Sequence, residues 1–271
     1  MPLHSEPLGQ LLLGLHAAVR EALATPDGAT GRPPGINPKG DLSRPFDLTA
    51  ERRAVLFLQR EAPESLLLSE ESGVIDLGQG PPKHRFILDP VDGSDNYACA
   101  VGPSAVCVAV LPAEGPLAVG RVEWALVGDL EKSMPVLGHR GGGAYRGDAR
   151  LRTSGVTRIA KAMISVELNH YAPSSELGSI MERARGVRCF GCASRALSLV
   201  ASGALDAHID IRQRLTPESF FAAALVVEEA GGCVVGPEGQ ALPPAGGLTD
   251  RCSVIAASTR ELADEIVQAL A

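Results

Sequence analysis

Two aspartates three residues apart are the strongest indication of chemistry in this sequence. Asp89 ends an apolar run, and Pro90 then forces a turn before Asp92 and the Gly93-Ser94 step. Hard divalent cations bind carboxylate and carbonyl oxygens, while the free N–H groups at a helix start bind phosphate oxygens. A metal ion on the two aspartates, beside the amides of Gly93 and Ser94, could therefore hold one phosphate from two sides. The same pattern also fits an Asp that ends a strand and an Asp that caps a helix.

Two further segments carry acidic residues that fit the same chemistry. Glu70 and Glu71 follow the apolar run Leu66–Leu68, which places adjacent acids at a strand end or turn. The apolar run Ala222–Val227 continues through two glutamates to Gly231-Gly232, as a helix with a double-glycine stop does. Taken alone, the first segment also fits a solvated acidic loop, and the second fits a helix of the hydrophobic core.

The chain as a whole is acidic, which limits the classes of partner. Its 271 residues include 25 Lys and Arg against 32 Asp and Glu, for a formal net charge of −7, and the basic residues are scattered. This balance argues against nucleic acid or an anionic membrane surface as the partner. An anionic substrate would need bound cations or directed N–H groups to overcome the repulsion.

The sequence favours a cytoplasmic location, where thiols stay reduced. No apolar stretch approaches the roughly 18 residues of a membrane-spanning helix, and the N-terminus lacks the pattern of a secretory signal. The six cysteines stand singly except for Cys189 and Cys192, and no second pair or nearby histidines complete a zinc site. We expect buried free thiols and no membrane partner.

The elements that must position these residues fall into two regions. In residues 1–150 we predict an α+β lobe that holds the metal-binding acids. Helical spacing predicts an opening helix from Leu8 to Leu23, and a second helix spans about Leu48 to Ala62. A loop at Gly28–Gly40, a buried strand at His84–Leu88, and a hairpin of Val106–Leu111 with Leu117–Val122 are also predicted.

In residues 151–271 strands alternate with helices, which indicates an α/β lobe on the substrate side. The predicted strands are Met163–Leu168, Val187–Phe190, Ala207–Ile211, Cys233–Val235 and Ser253–Ala257. The predicted helices are Ala193–Ser202, Glu218–Ala230 and Arg260–Leu270. Gly203 and Gly231-Gly232 stand where helices are expected to end.

The order and spacing of the acidic segments resemble the inositol monophosphatase and fructose-1,6-bisphosphatase superfamily. The resemblance rests on Glu70-Glu71, on the run Asp89–Ser94 and on the helix ending in Glu228–Gly232, and it extends from about Lys39 to Ala257. The segment Asp206–Leu215 resembles most the archaeal-type members, which act on both fructose-1,6-bisphosphate and inositol phosphates. The family implies an α/β fold, a layered αβαβα sandwich of the sugar phosphatase type.

The resemblance also implies a metal site of two or three Mg²⁺ ions. The implied ligands are Glu70, Asp89, Asp92 and the backbone carbonyl of Val91. Asp47 and the hydroxyl of Ser94, where the family usually has Thr, would activate the attacking water, so that Asp47, Ser94 and Glu70 are the expected catalytic residues. Asp47 equally fits the N-cap of the predicted Leu48–Ala62 helix.

The last metal position departs from the family. The final acidic ligand of the family falls at Ser219 here, and Glu218 stands immediately before it. Glu218, with its longer side chain, is the expected ligand if the helix start is shifted. Otherwise Ser219 leaves one ion a ligand short.

On the substrate side the resemblance names a loop and two charged residues. Gly93, Ser94, Gly191, Cys192, Ala193, Asp210 and Arg212 are the expected substrate-binding residues. Asp210 would contact a substrate hydroxyl, and Arg212 could reach a second phosphate, although a surface Arg is the commoner explanation.

We therefore predict a Mg²⁺-dependent phosphatase that acts on a small phosphorylated metabolite, of the inositol monophosphate or fructose-1,6-bisphosphate class, through a metal-activated water. The alternatives are a 3′-phosphoadenosine nucleotide phosphatase and a phosphatase-like binding or regulatory protein that lost turnover through Ser219. The resemblance also suggests a homodimer, for which the Val106–Val122 hairpin could supply the surface.

Overall fold

Two β-sheets follow one another along the chain. The computed structural model describes residues 2–24, 35–38, 40, 43–78, 80–131 and 134–271. The strands of the first sheet are β1 (Ser65–Ser69), β2 (Gly73–Asp76), β3 (His84–Asp92), β4 (Ala105–Pro112), β5 (Trp124–Asp129), β6 (Val136–His139), β7 (Gly143–Arg146) and β8 (Ala149–Arg150). Their order in the sheet is β2-β1-β3-β4-β5-β6-β7-β8.

The second sheet contains five strands in the order β10-β9-β11-β13-β12. These strands are β9 (Met163–Val166), β10 (Gly186–Arg188), β11 (Ala207–Leu215), β12 (Cys233–Val235) and β13 (Cys252–Ala257). The helices of the described residues are α1 (Pro7–Ala24), α2 (Pro45–Glu61), α3 (Ser94–Cys99), α4 (Ser175–Arg183), α5 (Ala193–Ala201), α6 (Pro217–Glu229) and α7 (Arg260–Leu270).

Helices and sheets alternate in five layers, which confirms the predicted αβαβα sandwich. The helices α1 and α2 cover one face of the first sheet, where Phe86 and Leu88 meet Leu15 and Leu58. Because successive side chains of a strand point to opposite faces, Ile87 lies on the other face, in the core that α5 and α6 share with the second sheet. The helices α4 and α7 cover the outer face of the second sheet.

The central helix α6 is apolar on every side, as expected of a helix between two sheets. All eight side chains from Phe220 to Val227 are at most 2% exposed. The two glutamates that follow hold a turn of the first sheet: Glu228 pairs with Arg140, and Glu229 accepts hydrogen bonds from the N–H groups of Gly141 and Gly143. These acids therefore serve the fold. Gly231 has φ +92° directly after the helix, as the double-glycine stop predicts.

The predicted hairpin is only half right. Val106–Leu111 lies in β4, but Leu117–Val122 is not a strand, since Val119–Arg121 forms a 3-10 turn and the strand that pairs with β4 is Trp124–Asp129. The strand half of this segment does not offer the surface suggested for a homodimer. The strand β4 lies between β3 and β5, and the apolar residues from Val106 to Leu111 are at most 1% exposed.

Smaller differences concern the cysteines and the helix starts. Cys99 and Cys189 are exposed, so the expectation of buried thiols holds for Cys107 and Cys192 but not for those two. The helix α2 begins at Pro45, three residues before the predicted start. Most of the predicted Gly28–Gly40 loop lies outside the described residues. Among the helices that are described, none combines the length and apolarity needed to span a bilayer.

Candidate active site

A cavity of about 380 Å³ lies where β1 and β3 end. We call it the acidic cavity, because six carboxylates line it: Asp47, Glu70, Glu71, Asp89, Asp92 and Asp95. Its other lining residues are Asn37, Arg44, Val91, Gly93, Ser94, Asn96, Asn169, Gly191 and Ser219. Arg44 is the one basic residue among these lining residues, and its guanidinium contacts the carboxylate of Asp95.

The sheet register explains why acids from separate segments meet here. The strands β1 and β3 are parallel, with Ser69 opposite Leu88, so the residues that follow each strand lie at the same edge. The N–H of Glu70 donates to the carbonyl of Leu88 at 3.2 Å, which brings Glu70 beside Asp89. The pairing of β3 with β4 becomes irregular between Asp89 and Asp92. Pro90 lies in this interval and has no N–H to donate to the neighbouring strand.

Asp47 and Ser94 meet in the cavity from different elements. Asp47 lies in the first turn of α2, where its Oδ2 accepts the backbone N–H of Arg44 at 3.0 Å. Its Oδ1 is 3.1 Å from the Ser94 hydroxyl, which can instead donate to the carbonyl of Val91 at 2.9 Å. Burial raises the pKa of Asp47 to about 6, against the lowering effect of these hydrogen bonds. Asp47 thus accepts a backbone N–H at the start of α2 and also presents its carboxylate to the cavity.

The turn at Gly93 requires glycine. Its φ is +84°, and a Cβ there would lie 2.9 Å from the carbonyl oxygen of Pro103 and 3.0 Å from the Cβ of Cys192. The turn starts α3, which is only six residues long. The side-chain amide of Asn96 in that helix donates to the carbonyls of Pro103 and Phe190, at 2.9 Å and 2.6 Å. The turn is therefore fixed to the segment that precedes α5.

Glu71 and the residues behind it add buried negative charge. Its carboxylate, 5% exposed, accepts the hydroxyl of Ser43, and burial raises its pKa to about 7, with a further rise from the charge of Glu70. Glu71 was quoted in the sequence motif but given no role. Asn169 was missed as well, although it is a polar residue directly after the predicted strand Met163–Leu168, which is a signal that sequence reasoning can use.

Ser219, and not Glu218, lines the acidic cavity. The Ser219 hydroxyl lies 3.5 Å from Oδ2 of Asp89. Glu218 is 1% exposed and accepts the Thr216 hydroxyl at 2.5 Å. Because neighbouring residues of a helix point about 100° apart, a helix that begins at Pro217 presents Ser219 to the cavity and turns Glu218 away. The structure therefore does not place Glu218 where a ligand of this cavity would lie.

The expected substrate residues separate into two groups. Gly93, Ser94 and Gly191 line the cavity, whereas Cys192, Ala193, Asp210 and Arg212 do not. Cys192 is 2% exposed, and its thiol contacts Asp92.

Arg212 and Asp210 form a buried ion pair beside the cavity. The guanidinium of Arg212 donates to both carboxylate oxygens of Asp210, at 2.9 Å and 2.7 Å, and to the carbonyl of Asn169 at 3.0 Å. Asp210 is fully buried, and the Arg212 side chain is 11% exposed. Glu167 ties the neighbouring loops together, since its carboxylate accepts the N–H groups of Asn169 and Gly191 at 3.1 Å and 3.0 Å. The hydrogen bonds of Arg212 and Glu167 therefore fix the loops that bring Asn169 and Gly191 to the cavity.

The donor set of the cavity fits hard divalent cations. Carboxylate, carbonyl and hydroxyl oxygens line it, and the lining acids outnumber the basic residue six to one. Burial is the main cause that raises the pKa of Asp47 and of Glu71, and the nearby charge of Glu70 raises both further. In the described part of the chain, however, no three acidic, histidine or cysteine side chains are arranged to hold one ion.

Comparisons with known proteins agree with this arrangement. A fructose-1,6-bisphosphatase/inositol-1-monophosphatase of Thermococcus kodakarensis is 28% identical over 87% of this chain and 86% of its own length. Human inositol monophosphatase 2 is 31% identical over 85% of this chain and 78% of its own length. The crystal structure of the extragenic suppressor protein suhB from Bartonella henselae shares the fold, with a TM-score of 0.79, 24% identity and 98% coverage of both chains. The model of the inositol monophosphatase family matches residues 12–271, and the chain belongs to that family.

Proposed function

We propose that this chain is a magnesium-dependent phosphatase that hydrolyses a phosphate monoester of a small polyol or sugar in the acidic cavity. Its family supports the coarser part, a phosphoric monoester hydrolase of sugar phosphates. The observation that carries the proposal is that Glu70, Asp89 and Asp92 line one cavity together with the Asp47–Ser94 pair. A cytoplasmic location and a homodimer, both expected from the sequence, belong to the same proposal.

The carboxylates of Glu70, Asp89 and Asp92, with the carbonyl of Val91, are the proposed ligands of two or three ions. When bound, Mg²⁺ would offset the negative charge of the cavity, attract the substrate phosphate and lower the pKa of a water. The same charge balance explains how a chain with a net charge of −7 can bind an anionic substrate.

Asp47 and Ser94 are proposed to orient and deprotonate the attacking water. The Asp47 carboxylate lies 3.1 Å from the Ser94 hydroxyl, so it is placed to accept a proton from the group that this hydroxyl orients. The Ser94 hydroxyl has two acceptors within reach, Asp47 and the carbonyl of Val91. If that carbonyl is engaged as a ligand, the Ser94 proton turns to Asp47, and the Ser94 oxygen then accepts a hydrogen bond from the water.

The substrate side favours a single phosphate. Arg212 was expected to reach a second phosphate, but its guanidinium is bonded to Asp210 and to the Asn169 carbonyl. Breaking a buried ion pair to bind a second phosphate would leave Asp210 uncompensated. We therefore favour a polyol or sugar monophosphate over a bisphosphate.

The test is phosphate release from a panel of inositol and sugar phosphates, with Mg²⁺ and with EDTA. Asp89→Asn removes one charge but keeps an oxygen that can accept the Val91 N–H bond, now 3.0 Å long. We expect at least a 100-fold loss of rate, with a metal-free melting temperature equal to or above that of the wild type, because the substitution removes one of six clustered negative charges. Asp148→Asn, at a side chain that is 90% exposed, is the matched control and should match the wild type. Ligand-induced stabilisation without any phosphate release would instead support the binding-protein alternative.

A further inference from the structure

Asp92 belongs to the first sheet, but its carboxylate is held by α5, a helix that connects strands β10 and β11 of the second sheet. The backbone N–H of Ser194 donates to its Oδ2 at 2.8 Å, and the Ser194 hydroxyl donates to the same oxygen at 2.6 Å. The thiol of Cys192 is 3.1 Å from it. Ser194 is fully buried and Asp92 is 8% exposed, so water competes little for these bonds.

Helix α5 has no capping side chain of its own. Cys192 occupies its N-cap position and makes no side-chain capping bond. The carboxylate of Asp92 takes that place, because it accepts the N–H of Ser194 in the first turn, at the positive end of the helix. Hydrogen bonds to an ionised carboxylate are shorter and stronger than neutral ones.

A second contact holds the segment before α5 to the short helix α3. Asn96, in the short helix after Gly93, donates to the carbonyl of Phe190 at 2.6 Å. The segment at the start of α5 is thus tied to β3 through Asp92 and to α3 through Asn96. The Ser194 hydroxyl therefore acts from a fixed position.

We infer that Ser194 is a positioning residue that fixes the rotamer of Asp92, so that this carboxylate is ordered before a cation or a phosphate arrives. The inference rests on the proposed function. Ser194 does not line the acidic cavity, so it acts only through Asp92. Two hydrogen bonds from one residue to a single oxygen restrict both the position and the tilt of the carboxylate. Partners of this kind, one step behind a metal ligand, typically change metal affinity or activity by about 10- to 100-fold.

The experiment compares Ser194→Ala with Ser202→Ala, a serine at the other end of α5 whose hydroxyl donates to the Leu199 carbonyl. Two Mg²⁺ midpoints are measured on the full chain, one from thermal stabilisation without substrate and one from phosphate release. We expect both midpoints to rise about tenfold in Ser194→Ala and to stay within twofold of the wild type in Ser202→Ala. Ser194→Thr, which keeps the hydroxyl, should recover most of the loss.

Cys192 provides a second measurement if the Ser194 variants do not fold. A thiol is a weak donor and a hydroxyl a strong one, so Cys192→Ser should lower the Mg²⁺ midpoint and Cys192→Ala should raise it modestly. If the wild type responds to Mg²⁺ but the midpoints are unchanged in Ser194→Ala, or in both Cys192 variants, the inference about Ser194 is wrong while the proposed function stands. A wild type that neither responds to Mg²⁺ nor releases phosphate overturns the proposed function and this inference with it.

Discussion

The place of Ser219 in the acidic cavity leads to a gain-of-affinity prediction for Ser219→Asp. The Ser219 hydroxyl lies 3.5 Å from Oδ2 of Asp89, so an aspartate there brings a second carboxylate to about 4 Å from the first. Two unit charges at that distance interact by about 1 kcal/mol in water and about 4 kcal/mol at an effective dielectric constant of 20. The cavity is open to solvent and Ser219 is half-buried, so the repulsion falls between these values.

The sign of the effect reverses when magnesium is present. Without metal, Ser219→Asp should lower the free energy of unfolding by about 1–4 kcal/mol, because the repulsion is not offset. With a dication between the carboxylates the added charge is attractive, and the Mg²⁺ midpoint should fall at least tenfold, which corresponds to about 1.4 kcal/mol.

The assay is thermal denaturation in EDTA and over a Mg²⁺ titration, with phosphate release measured in parallel. Ser219→Asn has nearly the same shape without the charge and is the matched control, with an expected midpoint within twofold of the wild type. If the Asp and Asn variants shift the Mg²⁺ midpoint equally, charge at this position does not act on the metal, and the reasoning is wrong.

Three further results are expected. Burial raises the pKa of Asp47 to about 6 and that of Glu71 to about 7. Above pH 5 the folded state therefore still holds protons that the unfolded state has lost. The free energy of unfolding of the metal-free chain should fall by about 2 kcal/mol per group as pH rises from 5 to 8. Denaturant melts in EDTA check this, and a flat profile would contradict it. Glu218→Gln should leave the Mg²⁺ midpoint within twofold while lowering stability by about 1–3 kcal/mol, and a tenfold midpoint shift would return Glu218 to the ligands. Arg212→Lys should lower the free energy of unfolding, measured by urea denaturation, by about 1–3 kcal/mol, because a lysine cannot pair with both oxygens of Asp210. The substitution also releases the Asn169 loop, so KM should rise more than kcat falls. An unfolding free energy equal to that of the wild type would show that the paired geometry does not matter.

The predictions from sequence were most accurate where a single periodicity decides the structure. The run Phe86–Leu88 is short and apolar on both faces and stands just before Pro90, which together favour a buried strand over a helix, and it lies in β3. The region from Leu117 to Asp129 offers two apolar runs of similar length, and periodicity alone cannot choose between them. Gly120 interrupts the first run, and Trp124 gives the second a large residue to bury, so the second pairs with β4.

One segment of the candidate site could be predicted from adjacency in the chain, whereas Asp47, Glu70 and Gly191, which come from other segments, were predicted only through the family resemblance. Asp89, Asp92, Gly93 and Ser94 stand in one short segment, so their meeting follows from local geometry. The choice between Glu218 and Ser219 depends on where α6 starts, since one residue rotates the helix surface by about 100°. The bonds between Ser194 and Asp92 depend on how the second sheet packs against the first, which no local pattern records.

The burial of α6 on all sides also determines how the molecule unfolds. Its apolar side chains complete the core of the first sheet and, through Val254 and Ala256, that of the second. Neither sheet can lose this helix without exposing the same eight residues to water. Calorimetry should therefore record one cooperative transition, and a chain divided near residue 150 should yield two insoluble halves, even though the strands of the two sheets are separate in sequence.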